Sequence, residues 1–99
     1  MLNLILTTGD SSELLETFKV NLLNNILETS DAIFYRVDNA VSELMSFQDS
    51  MLFVATAKDL TIQQVIDAIK EVSWNEPEKV QLFYKQENNT RFGEAKLNL

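Results

Sequence analysis

Histidine and cysteine are both absent from the ninety-nine residues of this chain. Without them there is no Ser-His or Cys-His nucleophilic pair, no Cys/His zinc site and no disulfide framework. Histidine is also the side chain that titrates nearest neutrality, so acid–base chemistry loses its usual agent. Carboxylate and lysine chemistry are what remain, and the composition points to a non-enzymatic protein without metal or cofactor. Glycine and proline are scarce, at two and one, which leaves little material for long structureless loops. Apolar runs stop at four or five residues, as in residues 51–55, so none is long enough to span a bilayer. No basic segment followed by an apolar stretch and a small-residue cleavage site is present. Together with the missing cysteines, this predicts a cytoplasmic protein that does not engage membranes.

Positive charge is also in short supply. Eight basic residues face fifteen acidic ones, for a net charge of −7. The imbalance is concentrated in residues 1–50, where eight acids meet only Lys19 and Arg36, a net of −6; residues 51–99 come to −1. Phosphate backbones repel such a chain, which disfavours direct nucleic-acid binding. An acidic face can instead meet a basic partner or imitate nucleic acid, or simply be solvated surface.

What is present is ordinary globular material: 45% hydrophobic and 23% charged residues, in a length that suits one domain, residues 1–99. Leu2–Thr8 reads as a strand, with Leu2, Leu4 and Leu6 on one face. From Ser11 to about Thr29 the period becomes helical, and Leu14, Leu15, Phe18, Leu22 and Ile26 form the stripe expected to face the sheet. Val20, Leu23 and Leu27 make a second, flanking row. That row makes the apolar arc wider than one sheet contact needs, which fits a candidate subunit interface and packing beneath a neighbouring segment equally well.

Residues 32–37, "AIFYRV", read as a strand whose Arg36 suggests an edge. Residues 38–50 read either as a short helix built on Val41, Leu44 and Met45 or as an irregular crossover. "MLFVATA" (51–57) is the most apolar strand candidate, expected to be buried on both faces. Thr61-x-x-Gln64 is a capping box for a helix that carries Ile62, Val65, Ile66, Ile69 and Val72 to about Ser73. Pro77 ends that region. Residues 80–86 alternate as a strand, residues 87–90 make a turn, and residues 91–99 form a weaker strand in which Gly93 suggests a bulge.

The order β-α-β-(α?)-β-α-β-β predicts an α+β fold. The preferred form is a ferredoxin-like split βαβ sheet (βαββαβ, order 4-1-3-2), with two helices on one face and an extra C-terminal hairpin strand. A small three-layer α/β sheet with parallel strands is the alternative.

The turn "GDSS" after the first strand is where a ligand is most expected, and Thr8, Gly9, Asp10 and Ser11 form the candidate ligand loop. Gly9-Asp10-Ser11 resembles the Gly-Asp-Ser motif of serine hydrolases with an N-terminal nucleophile. That resemblance spans three residues and implies a histidine base that this chain lacks. The strand–loop–helix opening also resembles small sugar-transport phosphocarrier domains, which carry the phosphoryl group on a cysteine; Thr7 and Thr8 stand in its place. A Walker A loop needs a second glycine and a lysine that are missing, and Asp10 would repel a phosphate. The same residues make a good helix start: Gly9 permits a positive φ, and Asp10 with Glu13 forms an Asp-x-x-Glu capping box.

Asp67 and Glu71 are four residues apart on the second helix and read as a solvated pair rather than a cation site. Trp74, at a helix end, is either an interface anchor or the closure of the core. Three functions are consistent with this sequence: an interaction module, most simply a homo-oligomer; a small-ligand sensor; and an acidic inhibitor of a basic partner.

Overall fold

The structure, a computed structural model, describes residues 1–9, 11–27, 32–37 and 50–99. Its elements in chain order are β1 (Leu2–Gly9), α1 (Glu13–Leu27), β2 (Tyr35–Arg36), β3 (Ser50–Ala57), α2 (Ile62–Glu71), a 3-10 turn (Pro77–Lys79), β4 (Gln81–Gln86) and β5 (Gly93–Ala95). The fold is α+β. Among the described residues five strands form one sheet in the order β2-β3-β1-β4-β5, and each of their pairings is antiparallel. The parallel pairing expected of the three-layer alternative does not occur among the described residues. Residues 38–49, where a further helix or a crossover was expected, lie outside the described residues.

β1 is central because its alternation is the most apolar on one face. Leu2, Leu4 and Leu6 are buried and stand opposite Ala57, Ala55 and Phe53 of β3 on one side; on the other, Leu6 stands opposite Leu82 of β4. This face meets Val20, Leu23 and Leu27 of α1 and Val65, Ala68 and Ile69 of α2 in one continuous core. Residues of the opposite face follow the other parity of each strand. There Ile5 is half-buried and Val54 and Thr56 are exposed, so β3 is covered on both faces only at Leu52 and its neighbours, not along its whole length as expected. Among the described residues the helices occupy one side, and Val54, Thr56 and Tyr35 stand exposed on the other.

Local signals explain the boundaries. Thr61 caps α2: its hydroxyl accepts from the Gln64 amide at 3.2 Å, and the Gln64 side chain accepts from the Thr61 amide at 2.9 Å, the reciprocal pair expected of Thr-x-x-Gln. Pro77 sits in the first turn of the 3-10 segment, where its missing N–H costs nothing. The Asn89 amide donates to the Gln86 carbonyl at 2.9 Å and closes the β4–β5 turn. Gly93 stands directly opposite Tyr84 in regular register, so no bulge forms there. β2 is an edge strand of only two residues, Tyr35 and Arg36. It is held by a side chain that sequence patterning does not reveal: Asn24 of α1 donates to the Phe34 carbonyl at 3.1 Å and accepts from the Phe34 amide at 2.7 Å. The Asn24 amide thus pairs with the backbone as a neighbouring strand would.

Candidate functional site

The turn after β1 is built against a loop far along the chain. Gly9 is buried and its φ is not positive, so the left-handed turn expected of it does not occur. Its lack of a side chain leaves room for Glu76: a Cβ at this position would lie 2.7 Å from the Glu76 carboxylate carbon, which would have to shift. The Ser11 hydroxyl donates to Glu76 Oε1, and Lys79 Nζ lies 3.0 Å from Glu76 Oε2. The Ser11 and Lys79 contacts hold the Glu76 carboxyl below its ordinary range, the Ser11 hydrogen bond contributing most. Thr8 is fully buried and its hydroxyl donates to the Gly9 carbonyl at 3.3 Å. Asp10, the expected cap, lies outside the described residues. The first helical hydrogen bond runs from the Glu16 amide to the Ser12 carbonyl, at 3.0 Å.

One turn into α1, Glu16 is wholly buried. Neither carboxylate oxygen makes a hydrogen bond of full geometry among the described residues. Burial is the main cause that raises its pKa, and the nearby Glu76 charge adds to it; the Asn75 and Glu76 backbone amides and Lys19 act in the opposite direction. Gly9 and Ser11 therefore meet the Glu76 carboxylate, whose charge is already paired with Lys79. No group of three or more metal-ligating side chains occurs among the described residues.

α1 presents the opposite face from the one its stripe predicted. Glu16, Val20, Leu23 and Leu27 point inward, at steps of four, three and four. The candidate interface row Val20, Leu23 and Leu27 is thus the protein's own core. Trp74 is buried as well, its indole N–H donating to the Ile69 carbonyl at 2.9 Å, and it closes the core at the end of α2. What α1 leaves outside is Leu14 at 86% exposure, Leu15 at 49%, Phe18 at 57%, Ile26 at 40% and Leu22 at 36%. Beside this row, between α1 and the segment after α2, is a hollow of about 500 Å³ lined by Leu22, Ile26 and Val72, with Lys19 and Glu71 among its polar residues. Glu13, at the start of the helix, is ion-paired to Arg36.

The open sheet face forms a wider trough of about 700 Å³. Asn3, Ile5, Val54 and Thr56 contribute to its floor, and Ile33, Tyr35, Lys85 and Phe92 are among its other lining residues. The Lys85 ammonium lies 5.2 Å from the centre of the Phe92 ring, within cation–π range. Asp67 and Glu71, the carboxylate pair on α2, are both exposed, and Asp67 accepts a hydrogen bond from Gln63 at 2.9 Å.

No helix among the described residues is long and apolar enough to cross a membrane. Comparison of the chain with family models, with curated proteins and with solved structures finds no match.

Proposed function

We propose that this protein is a non-enzymatic, cytoplasmic interaction module that self-associates through the outer row of α1. The reading is carried by one observation: Leu14, Leu15, Phe18, Leu22 and Ile26 stand exposed on a helix whose inner row already fills the core. Leu14, Phe18, Leu22 and Ile26 recur every four residues and make a ridge about 18 Å long. Such a ridge packs into the corresponding grooves of a second helix at a crossing angle near −50°. A second copy supplies the same ridge. It also supplies the hollow beside Leu22 and Ile26, where Phe18 of the other copy can pack across a two-fold axis. The order β2-β3-β1-β4, which matches 4-1-3-2, supports a ferredoxin-like split βαβ frame with β5 added at the β4 edge.

The acidic-inhibitor reading has less support. Of the described acids in residues 1–50, Glu13 is paired with Arg36 and Glu16 is buried.

Sedimentation of the full chain across a concentration series tests self-association. Reversible dimers are expected, and Phe18→Glu should leave monomers with an unchanged circular dichroism spectrum. A strictly monomeric parent protein at high micromolar concentration overturns the reading.

A further inference from the structure

The trough on the open sheet face lies on the other side of the sheet from α1, and its chemistry differs from that of the rest of the molecule. In a chain of net charge −7, the described residues lining it include one charged group, and that group is a cation, Lys85. Among the described residues Lys85 has no ion-pair partner; its recorded contact is the Phe92 ring. Its stem is half-buried along β4, so the ammonium is held at one side of the trough rather than swinging free in solvent.

From Lys85 the lining runs across the strands to Asn3 on β1 and Thr56 on β3. The adjacent row places Ile5 opposite Val54, and Val54 opposite Tyr35. Three strand spacings separate β4 from β2, a span of about 14 Å. The site therefore has a cationic end, an apolar floor and an aromatic ring at each side. Its volume falls in the range of small-molecule pockets.

We propose that the open sheet face binds a small amphipathic carboxylate, with its charged head on Lys85 and its apolar body across Ile5 and Val54 toward Tyr35. Lys85 and Asn3 supply donors for the head. Phe92 shields the ammonium from water on one side and strengthens its attraction for an anion. A cationic ligand would meet Lys85 and no described carboxylate in the trough. A neutral ligand of the same length would gain the floor and forgo the ion pair. A ligand at this site and a partner on α1 would occupy different surfaces, so either can fail without the other.

Decanoate, decanol and decylammonium, each below its aggregation concentration, are suitable probes for the isotope-labelled full chain by NMR titration. Decanoate should shift the amide signals of Asn3, Val54, Thr56 and Lys85 and bind at least about tenfold more tightly than either control. Lys85→Met, which keeps the stem and removes the charge, should weaken decanoate by about the same factor. Val54→Glu should abolish binding while the remaining amide spectrum stays folded. Equal binding of all three probes, an unchanged affinity in Lys85→Met, or no decanoate binding would each overturn the proposal. Shifts confined to α1 would overturn it as well, while leaving self-association through that helix standing.

Discussion

The Ser11 hydroxyl and the Glu76 carboxylate are hydrogen-bonded across 65 residues of sequence, joining the turn after β1 to the loop after α2. This contact ties Ser11, within the stretch "GDSS", to Glu76. Because Ser11 is the largest cause of the lowered Glu76 pKa, Ser11→Ala should move that carboxyl back up toward its ordinary range. The sign of the stability change follows. A carboxyl whose folded pKa is depressed contributes stability that is present above its unfolded value and is lost as pH falls through the folded one. Ser11→Ala should therefore be less stable than the parent near neutrality and converge with it in acid. NMR titration of the Glu76 side chain and urea unfolding at several pH values measure both halves.

Gly9 tests the same contact from the other side. A methyl group at this position would lie against the Glu76 carboxylate, and the flexible end of Glu76 would have to move away from Ser11 and Lys79. Gly9→Ala should be destabilising to the extent that Glu76 loses its contacts with Ser11 and Lys79. In a Glu76→Ala background the same change should be nearly neutral. A double-mutant cycle in urea reports the difference as coupling, and additive effects would show that Gly9 serves some other purpose.

Glu16 behaves oppositely to Glu76. Burial, with the Glu76 charge adding to it, raises its pKa, while the Asn75 and Glu76 amides and Lys19 oppose the shift. The folded protein therefore holds the Glu16 proton more tightly than the unfolded chain. The associated stability is complete below the unfolded value of 4.5 and is lost as pH rises through the folded one. Glu16→Gln removes that loss. Its unfolding midpoint relative to the parent should improve steadily as pH is raised from acid to neutral. A difference that does not vary with pH would mean that Glu16 ionises freely in the folded state.

Glu16 also explains where sequence reading succeeded and where it failed. The capping box at Thr61 and the alternation of β1 and β4 were legible because each is a local pattern with one structural solution. α1 has two apolar rows, and periodicity identifies rows without saying which of them meets the sheet. The row Leu14, Phe18, Leu22, Ile26 is unbroken, whereas the inner row, Val20, Leu23 and Leu27, begins with a carboxylate at Glu16. One buried acid made the core row look like the lesser one. The contact between Ser11 and Glu76, the Asn24 bracket on Phe34 and the trough beside Lys85 are tertiary juxtapositions, and no spacing in the chain encodes them.

The Thr61 cap offers a control on which sequence and structure agree. Its hydroxyl satisfies an amide that has no partner within the helix, so Thr61→Ala should lower stability by about 0.5–2 kcal/mol. Thr61→Ser, which keeps the oxygen, should recover most of that. Thermal and urea unfolding distinguish the two, and a silent Thr61→Ala would indicate that α2 is held by its packing alone.

The orientation of α1 is the finding on which the proposed interface depends, and two substitutions decide it. Leu23 is fully buried in the core, and Phe18 is more than half exposed. Leu23→Ala should cost about 2–5 kcal/mol, as large-to-small changes in a packed interior do. Phe18→Ala should change monomer stability by no more than about 0.5 kcal/mol, measured at protein concentrations where dimers are dilute. At higher concentration the parent protein should gain stability from association, whereas Phe18→Ala should not, because a partner that binds only the folded state raises its midpoint by mass action. If the helix were turned so that Phe18 faced the sheet, the costs would exchange places. A concentration-dependent midpoint in the parent that disappears in Phe18→Ala, with Leu23→Ala severely destabilised, assigns the inner row to folding and the outer row to the partner.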